Sequence, residues 1–154
     1  MNLSDDVLKY LDASVLCWLA TVDKSGQPNV SPKEIFAVRN DKLLIANIAS
    51  PGSVRNIEEN PKVCVSFIDF LVQKGYQLKG HALVLQPSDY REVHSFIQIR
   101  AGDKYKVLSV ISIEVEKVKP IIAPRYLFYP DTDESIKIDV LTKHLRGGTF
   151  DSDN

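Results

Sequence analysis

Between Val15 and Val115 the chain alternates short apolar, β-branched runs with clusters of turn-forming residues, and most of the connections are too short to contain a helix. Parallel neighbours need a crossover of a dozen or more residues, so strands joined this closely must run antiparallel. The runs are Val15–Val22, the stretch GQPNVSPKEIFAV beginning at Gly26, Leu43–Ile48, Val63–Phe70, Tyr76–Leu85 and Val107–Val115. DKSGQP separates the first two, Arg39, Asn40 and Asp41 turn the chain before the third, and a loop containing Gly75 joins the fourth to the fifth. This pattern predicts an α+β fold: a six-stranded antiparallel β-barrel, closed or partly closed, with short flanking helices.

The helical segments are few. Leu3, Val7, Leu8 and Leu11 recur at helical spacing behind Ser4, a suitable N-cap, with Asp5 and Asp6 in the first turn. Pro51 opens a short helix with Val54 and Ile57 on its apolar side, and Asn60-Pro61 stops it. Ser88 opens another, which carries Val93, Phe96 and Ile97. Ile136, Val140, Leu141 and Leu145 mark a C-terminal helix, so one domain is expected over residues 1–146, followed by a flexible polar tail over 147–154.

Chemistry concentrates where the third strand passes into the Pro51 helix. Ser50, Ser53, Arg55 and Asn56 fall at the beginning of that helix, where unpaired amides and the positive dipole end favour an anion such as phosphate. Ser31 and Lys33 on the preceding strand add polar groups beside it. Arg55 offers a bidentate fork to a phosphate, and Pro32 removes one strand donor, which marks an edge or bulge that a ligand can approach.

Other functions are disfavoured. A formal net charge of -1 does not suit a chain that coats nucleic acid. No apolar run reaches the length of a membrane span, and Asp5, Asp6 and Asp12 interrupt any leader-like region, so a cytoplasmic location is expected. Cys17 and Cys64 lie within apolar strands and read as reduced, buried hydrophobes. His81, His94 and His144 have no Cys or carboxylate at ligand spacing, so no metal is expected, and no Ser-His-Asp or Cys-His order supports an activated nucleophile.

With LATVDKSGQPNVSP, the spacing from LLIANIA to SVRNIEENPKVCVSF, and YQLKGHA in view, the chain from its first helix to about Val118 resembles the pyridoxamine 5'-phosphate oxidase-like, FMN-binding split-barrel proteins. The PRYLFYP segment is similar to that of an uncharacterised bacterial branch of the family. The resemblance implies a homodimer with two FMN sites at the subunit interface. It places the isoalloxazine ring along Val30, Ser31, Pro32 and Lys33, with Asn47, Ile48 and Ala49 on the adjacent strand. Ser53, Arg55 and Asn56 would face the phosphate, and Gln77 stands where the oxidases have a flavin-contacting glutamine.

The implied activity is that of a flavin-dependent oxidoreductase acting on a small substrate, with a nicotinamide nucleotide or another electron donor. The alternatives are a non-catalytic FMN carrier, an electron-transfer or redox-sensing protein, or a split barrel that uses haem or a deazaflavin. Gly52 and Ser53 stand where the vitamin oxidases carry a basic pair, and PRYLFYPDTDESIKIDV has no equivalent of their substrate-binding Arg and His, so oxidation of pyridoxamine phosphate itself is not expected. Arg125, Tyr126 and Tyr129 are read equally as a flap over the partner's flavin or as dimer packing.

Overall fold

In the computed structural model, which describes residues 2–133, 139, 142 and 143, seven strands form one antiparallel sheet flanked by short helices. The elements run α1 (Asp5–Ala13), β1 (Cys17–Val22), β2 (Pro28–Lys33), β3 (Phe36–Arg39), β4 (Lys42–Asn47), α2 (Pro51–Glu59), β5 (Lys62–Asp69), β6 (Lys74–Leu85), α3 (Arg91–Ala101), β7 (Ser109–Ile122) and α4 (Pro124–Phe128). The expected α+β split barrel is therefore present, with seven strands in place of six. The difference lies in the segment read as one strand from Gly26 to Val38. Its first half pairs with β1, its second half pairs with β4, and the chain bends between them at Glu34.

That bend governs the architecture. The strand order is β2-β1-β5-β6-β7-β4-β3, so β2 and β3 lie at opposite ends of the sheet although only Glu34 and Ile35 separate them in sequence. A flat sheet of this order would set its ends about 29 Å apart at the usual strand spacing. Three peptide steps from Lys33 to Phe36 reach about 10 Å. The sheet must therefore curl until its two ends meet, and the seam of the half-barrel falls at Glu34 and Ile35.

Strand alternation supplies the core. Leu19, Leu43, Ile45, Val65, Phe67, Leu78, Ile113 and Val115 point into the barrel and are nearly inaccessible. α1 closes one side with Val7, Tyr10 and Leu11, its Ser4 hydroxyl accepting from the Val7 amide and its Asp6 carboxylate accepting from the Tyr76 hydroxyl. β4 and the first half of β7 are buried on both faces, because Leu44, Ala46 and Val110 pack outward against Ile97 and Ala101 of α3. This double burial explains why LLIA and VISI read as continuous apolar runs rather than alternating ones. Pro120 pairs with Tyr76 beyond the last residue of β7 that β4 reaches, where β7 has become an edge strand and a missing amide is tolerated.

Of the expected C-terminal helix, Asp139, Thr142 and Lys143 are helical, while Ile136, Val140, Leu141, Leu145 and the 147–154 tail lie outside the described residues. Tyr126 is buried, and its hydroxyl donates to the Val72 carbonyl at 2.8 Å, whereas Arg125 and Tyr129 are exposed.

A register shift between Lys79 and Gly80 bends β6 against β7. A Cβ on Gly80 would stand 2.0 Å from the Glu114 carbonyl oxygen, a backbone atom that cannot turn aside. Gly80→Ala is expected to destabilise the fold by about 3 kcal/mol, at the upper end of overpacking costs. Gly52→Ala, with nothing within 4 Å of the added carbon, should shift the midpoint of urea unfolding far less.

Candidate functional site

The seam opens into a pocket of about 320 Å³. Pro32 and Lys33 end β2, Glu34 and Ile35 form the link, Ala46 lies on β4, Ile48, Ala49 and Ser50 lead into α2, and Tyr105 comes from the connection between α3 and β7. A second hollow shares Glu34 and Ile35 and reaches Phe36 and Arg100.

Lys33 dominates the electrostatics. Only 5% of it is accessible, and its Nζ donates to the Ser50 Oγ at 2.5 Å. Directly across the β1–β2 pair stands Cys17, fully buried. Burial pushes the Cys17 thiol up to about 12, against a smaller downward pull from Lys33, so it is neutral at ordinary pH and supplies no counter-charge. Burial also holds the Lys33 amine below the usual lysine value. Among the described residues no carboxylate forms an ion pair with Lys33. A buried ammonium with one hydroxyl partner has two donors left for an anion.

The start of α2 is arranged for the same charge. Ser50 is its N-cap but makes no side-chain cap bond, because its hydroxyl accepts from Lys33, and its own amide donates to Asn47 Oδ1 at 3.1 Å. The first turn carries no acidic residue. Gly52 leaves open space above the turn, so a ligand can approach the backbone amides there.

α2 is held to the sheet through hydroxyls and amides. Asn56 Nδ2 donates to Thr21 Oγ1 at 3.0 Å, Asn29 Nδ2 reaches Thr21 Oγ1 at 3.3 Å and Ser53 Oγ at 3.4 Å, and the Ser31 and Ser53 hydroxyls lie 3.2 Å apart. A nine-residue helix is marginal by itself, and Ile57 is its one large buried apolar side chain, so these bonds carry much of its placement.

The structure thus brings Pro32, Lys33, Ile48, Ala49 and Ser50 together around one pocket. Ser31, Ser53 and Asn56 turn their side chains into the contact between α2 and the sheet. Asn47 lies behind the pocket, where its Nδ2 donates to Ser109 Oγ at 2.9 Å and its carbonyl accepts from the Leu108 amide at 2.8 Å. Val30 and Arg55 are exposed, and Gln77 lies on β6 opposite Ser66 and Lys119; none of the three lines the pocket. Sequence reasoning missed Ala46, Tyr105, Glu34, Ile35, Thr21 and Asn29. Ala46 was within reach, because residues two apart on a strand share a face and Ile48 was already a candidate. Tyr105 was not, since the loop that carries it is distant in sequence.

Among the described residues no group of three or more His, Cys, Asp or Glu side chains could hold a metal ion, and no helix is long and apolar enough to cross a membrane. His94 Nε2 is 2.8 Å from the Val107 carbonyl, and exposed His81 pairs with Glu116 at 2.7 Å; neither lines the pocket.

The fold recurs in solved structures. HupZ of Group A Streptococcus is 24% identical with a TM-score of 0.66, covering 75% of this chain and 91% of its own. HutZ of Vibrio cholerae, described as a heme storage protein, is 20% identical with a TM-score of 0.60, covering 79% and 95%. An FMN-binding protein of Syntrophomonas wolfei is 14% identical with a TM-score of 0.62, covering 76% and 84%. No curated protein sequence matches the chain. The sequence model of the family described as pyridoxamine 5'-phosphate oxidase matches residues 3–122, the whole of the sheet. By that match, the chain belongs to the pyridoxamine 5'-phosphate oxidase family.

Proposed function

We propose that the protein binds FMN in the seam pocket and is a flavin-dependent oxidoreductase acting on a small substrate. The observation that carries this reading is Lys33: a buried cation without an acidic partner among the described residues, hydrogen-bonded to the N-cap of a helix whose first turn is free of acid. The terminal phosphate of FMN carries close to two negative charges at neutral pH and supplies the missing counter-charge. Arg55, exposed on the same helix, adds positive charge from the solvent side. Ile35, Ala46 and Ile48 offer an apolar wall to a ring system. When bound, the flavin supplies hydride and electron transfer; the chain's residues bind it, orient it and exclude water. The hollow lined by Glu34, Ile35, Phe36 and Arg100 shares two residues with the pocket and is where a substrate would approach.

The FMN-binding Syntrophomonas wolfei neighbour supports this cofactor, and the heme storage protein HutZ supports the haem alternative. Haem iron takes an axial ligand such as histidine. His81 and His94 are each engaged by a partner away from the pocket, so the described residues favour the flavin.

A homodimer belongs to the same proposal. The outer face of β2, β1, β5 and β6 leaves Val30 58%, Trp18 46% and Ile68 39% accessible, and the pairings Trp18 with Ser66 and Ser66 with Gln77 put Gln77 on that face. A half-exposed tryptophan within an apolar sheet face is the kind of anchor that protein interfaces bury. A second copy packed there covers these side chains and brings its Gln77 toward a neighbouring pocket.

Lys33→Met is expected to weaken FMN binding about 30-fold, the loss of one charge-assisted hydrogen bond, while the apo protein keeps or gains thermal stability because a buried charge is removed. Unchanged affinity by equilibrium dialysis would overturn the phosphate assignment.

The pH dependence follows from the same amine. The depressed pKa of Lys33 belongs to the ligand-free fold and the bound phosphate stabilises the ammonium, so binding releases no proton at neutral pH and becomes coupled to proton uptake as the amine titrates. FMN affinity should rise through about pH 6 with the second phosphate ionisation, hold a plateau, then fall at a pH below the usual lysine value of 10.5. Lys33→Met should lose the alkaline fall.

In sedimentation equilibrium the protein is expected at twice its 17.3 kDa chain mass, and Trp18→Arg at the chain mass with its fold intact by circular dichroism. A monomeric parent would remove the interface from the proposal.

A further inference from the structure

We infer that Tyr105 is the specificity-determining side chain of the pocket, an aromatic wall that selects a planar ring, and that Gln98 is the residue that positions it. This rests on the flavin reading of the pocket and adds to it a residue from outside the strand and helix segments considered above. α3 ends at Gly102 with φ +68, and the connection to β7 passes through Asp103, Lys104, Tyr105 and Lys106, all exposed. A polar surface loop of this kind ordinarily samples several conformations. Here one side chain from α3 bridges it on both sides of Tyr105. Gln98 Nε2 donates to the Gly102 carbonyl at 3.0 Å and to the carbonyl of Tyr105 itself at 2.7 Å, and Gln98 Oε1 accepts from the Val107 amide at 2.9 Å.

Two further bonds close the far end of the loop. His94 Nε2 is 2.8 Å from the Val107 carbonyl, which only accepts, so the ring nitrogen is the donor. The Leu108 amide donates to the Asn47 carbonyl at 2.8 Å, and the Asn47 side chain accepts the Ser50 amide. The backbone that presents Tyr105 is thereby tied to the same residue that sets the start of α2. Tyr105 lines the pocket together with Lys33 and Ser50, yet 47% of it remains accessible. An aromatic side chain on an immobilised backbone, with much of its surface still open, is a preorganised contact: a ring that docks on it loses little conformational freedom of the protein. Ile35, Ala46 and Ile48 provide the apolar remainder of the wall, so the pocket combines an anion end at Lys33 with a ring-binding end at Tyr105.

The test uses the full chain with FMN and riboflavin as probes, followed by flavin fluorescence and equilibrium dialysis. Tyr105→Phe is expected to match the parent. Tyr105→Ala is expected to weaken FMN and riboflavin by the same factor, about fivefold, and to restore part of the flavin fluorescence that a stacked phenol quenches. Because riboflavin has no phosphate, the equal loss assigns the effect to the ring. Gln98→Leu should reproduce the affinity loss and the fluorescence gain at a temperature where circular dichroism shows it folded; a purely structural role would lower its melting temperature without altering the emission of bound flavin. If the parent binds FMN and Tyr105→Ala binds it equally well with the same emission, this inference is wrong and the flavin reading stands. If the parent retains no flavin, the flavin reading fails and this inference fails with it.

Discussion

Two residues, Glu34 and Ile35, join strands at opposite ends of a seven-stranded sheet, and the rest of the molecule is built around that short link. Because the link cannot span a flat sheet, the sheet curls. Curling gives the strands an inside, where Leu19, Leu43, Val65, Leu78 and Ile113 exclude water, and it leaves a seam. The pocket occupies the seam because the two edges of the sheet, β2 and β3, converge there with no ladder between them among the described residues. Its lining follows from this: the end of β2, the link, the end of β4 and the turn into α2.

At the seam a lysine is buried beside a neutral thiol. Desolvating an ammonium is costly, and the fold recovers part of that cost through the Ser50 hydroxyl, with no acidic partner for Lys33 among the described residues. Asn47 makes the arrangement rigid. One carboxamide and one carbonyl link the start of α2, the Ser109 hydroxyl and the amide that follows the Tyr105 loop, so the Ser50 side and the Tyr105 side of the pocket share a common support. The Thr21, Asn29, Ser31, Ser53 and Asn56 network supports the other side of α2 in the same way. Polar residues near a binding site therefore divide into those that face the pocket and those that hold the facing residues in place, and residue type alone does not distinguish the two.

Much of the fold was legible because hydrophobic periodicity and turn chemistry are local. The Ser4 cap, the turn after Val22, the Pro51 helix start and the Asn60-Pro61 stop all lie where the residues indicate. The break after Lys33 was only partly legible: Pro32 marks an edge or bulge, but Glu34 and Ile35 carry no glycine or proline, and an extended chain that leaves one edge for another looks locally like a continuous strand. The candidate site was legible at Lys33 and Ser50, where charge and helix-start chemistry coincide. Ser53 and Asn56 share that chemistry, yet their side chains meet the sheet, because a helix start does not reveal which of its sides packs inward.

What the sequence by itself determined is most of the elements (though not the division of β2 from β3), their antiparallel pairing and the strand-to-helix turn suited to an anion, since each depends on residues within a few positions of one another. Tertiary structure alone decided that Lys33 is buried without an acidic partner among the described residues, that Asn47 lies behind the pocket, and that Tyr105, more than fifty residues along the chain from Ser50, completes the pocket wall. The physical reason is closure of the sheet. Burial, desolvation and side-chain convergence depend on which distant segments the curl brings together, and no local pattern of residues carries that information.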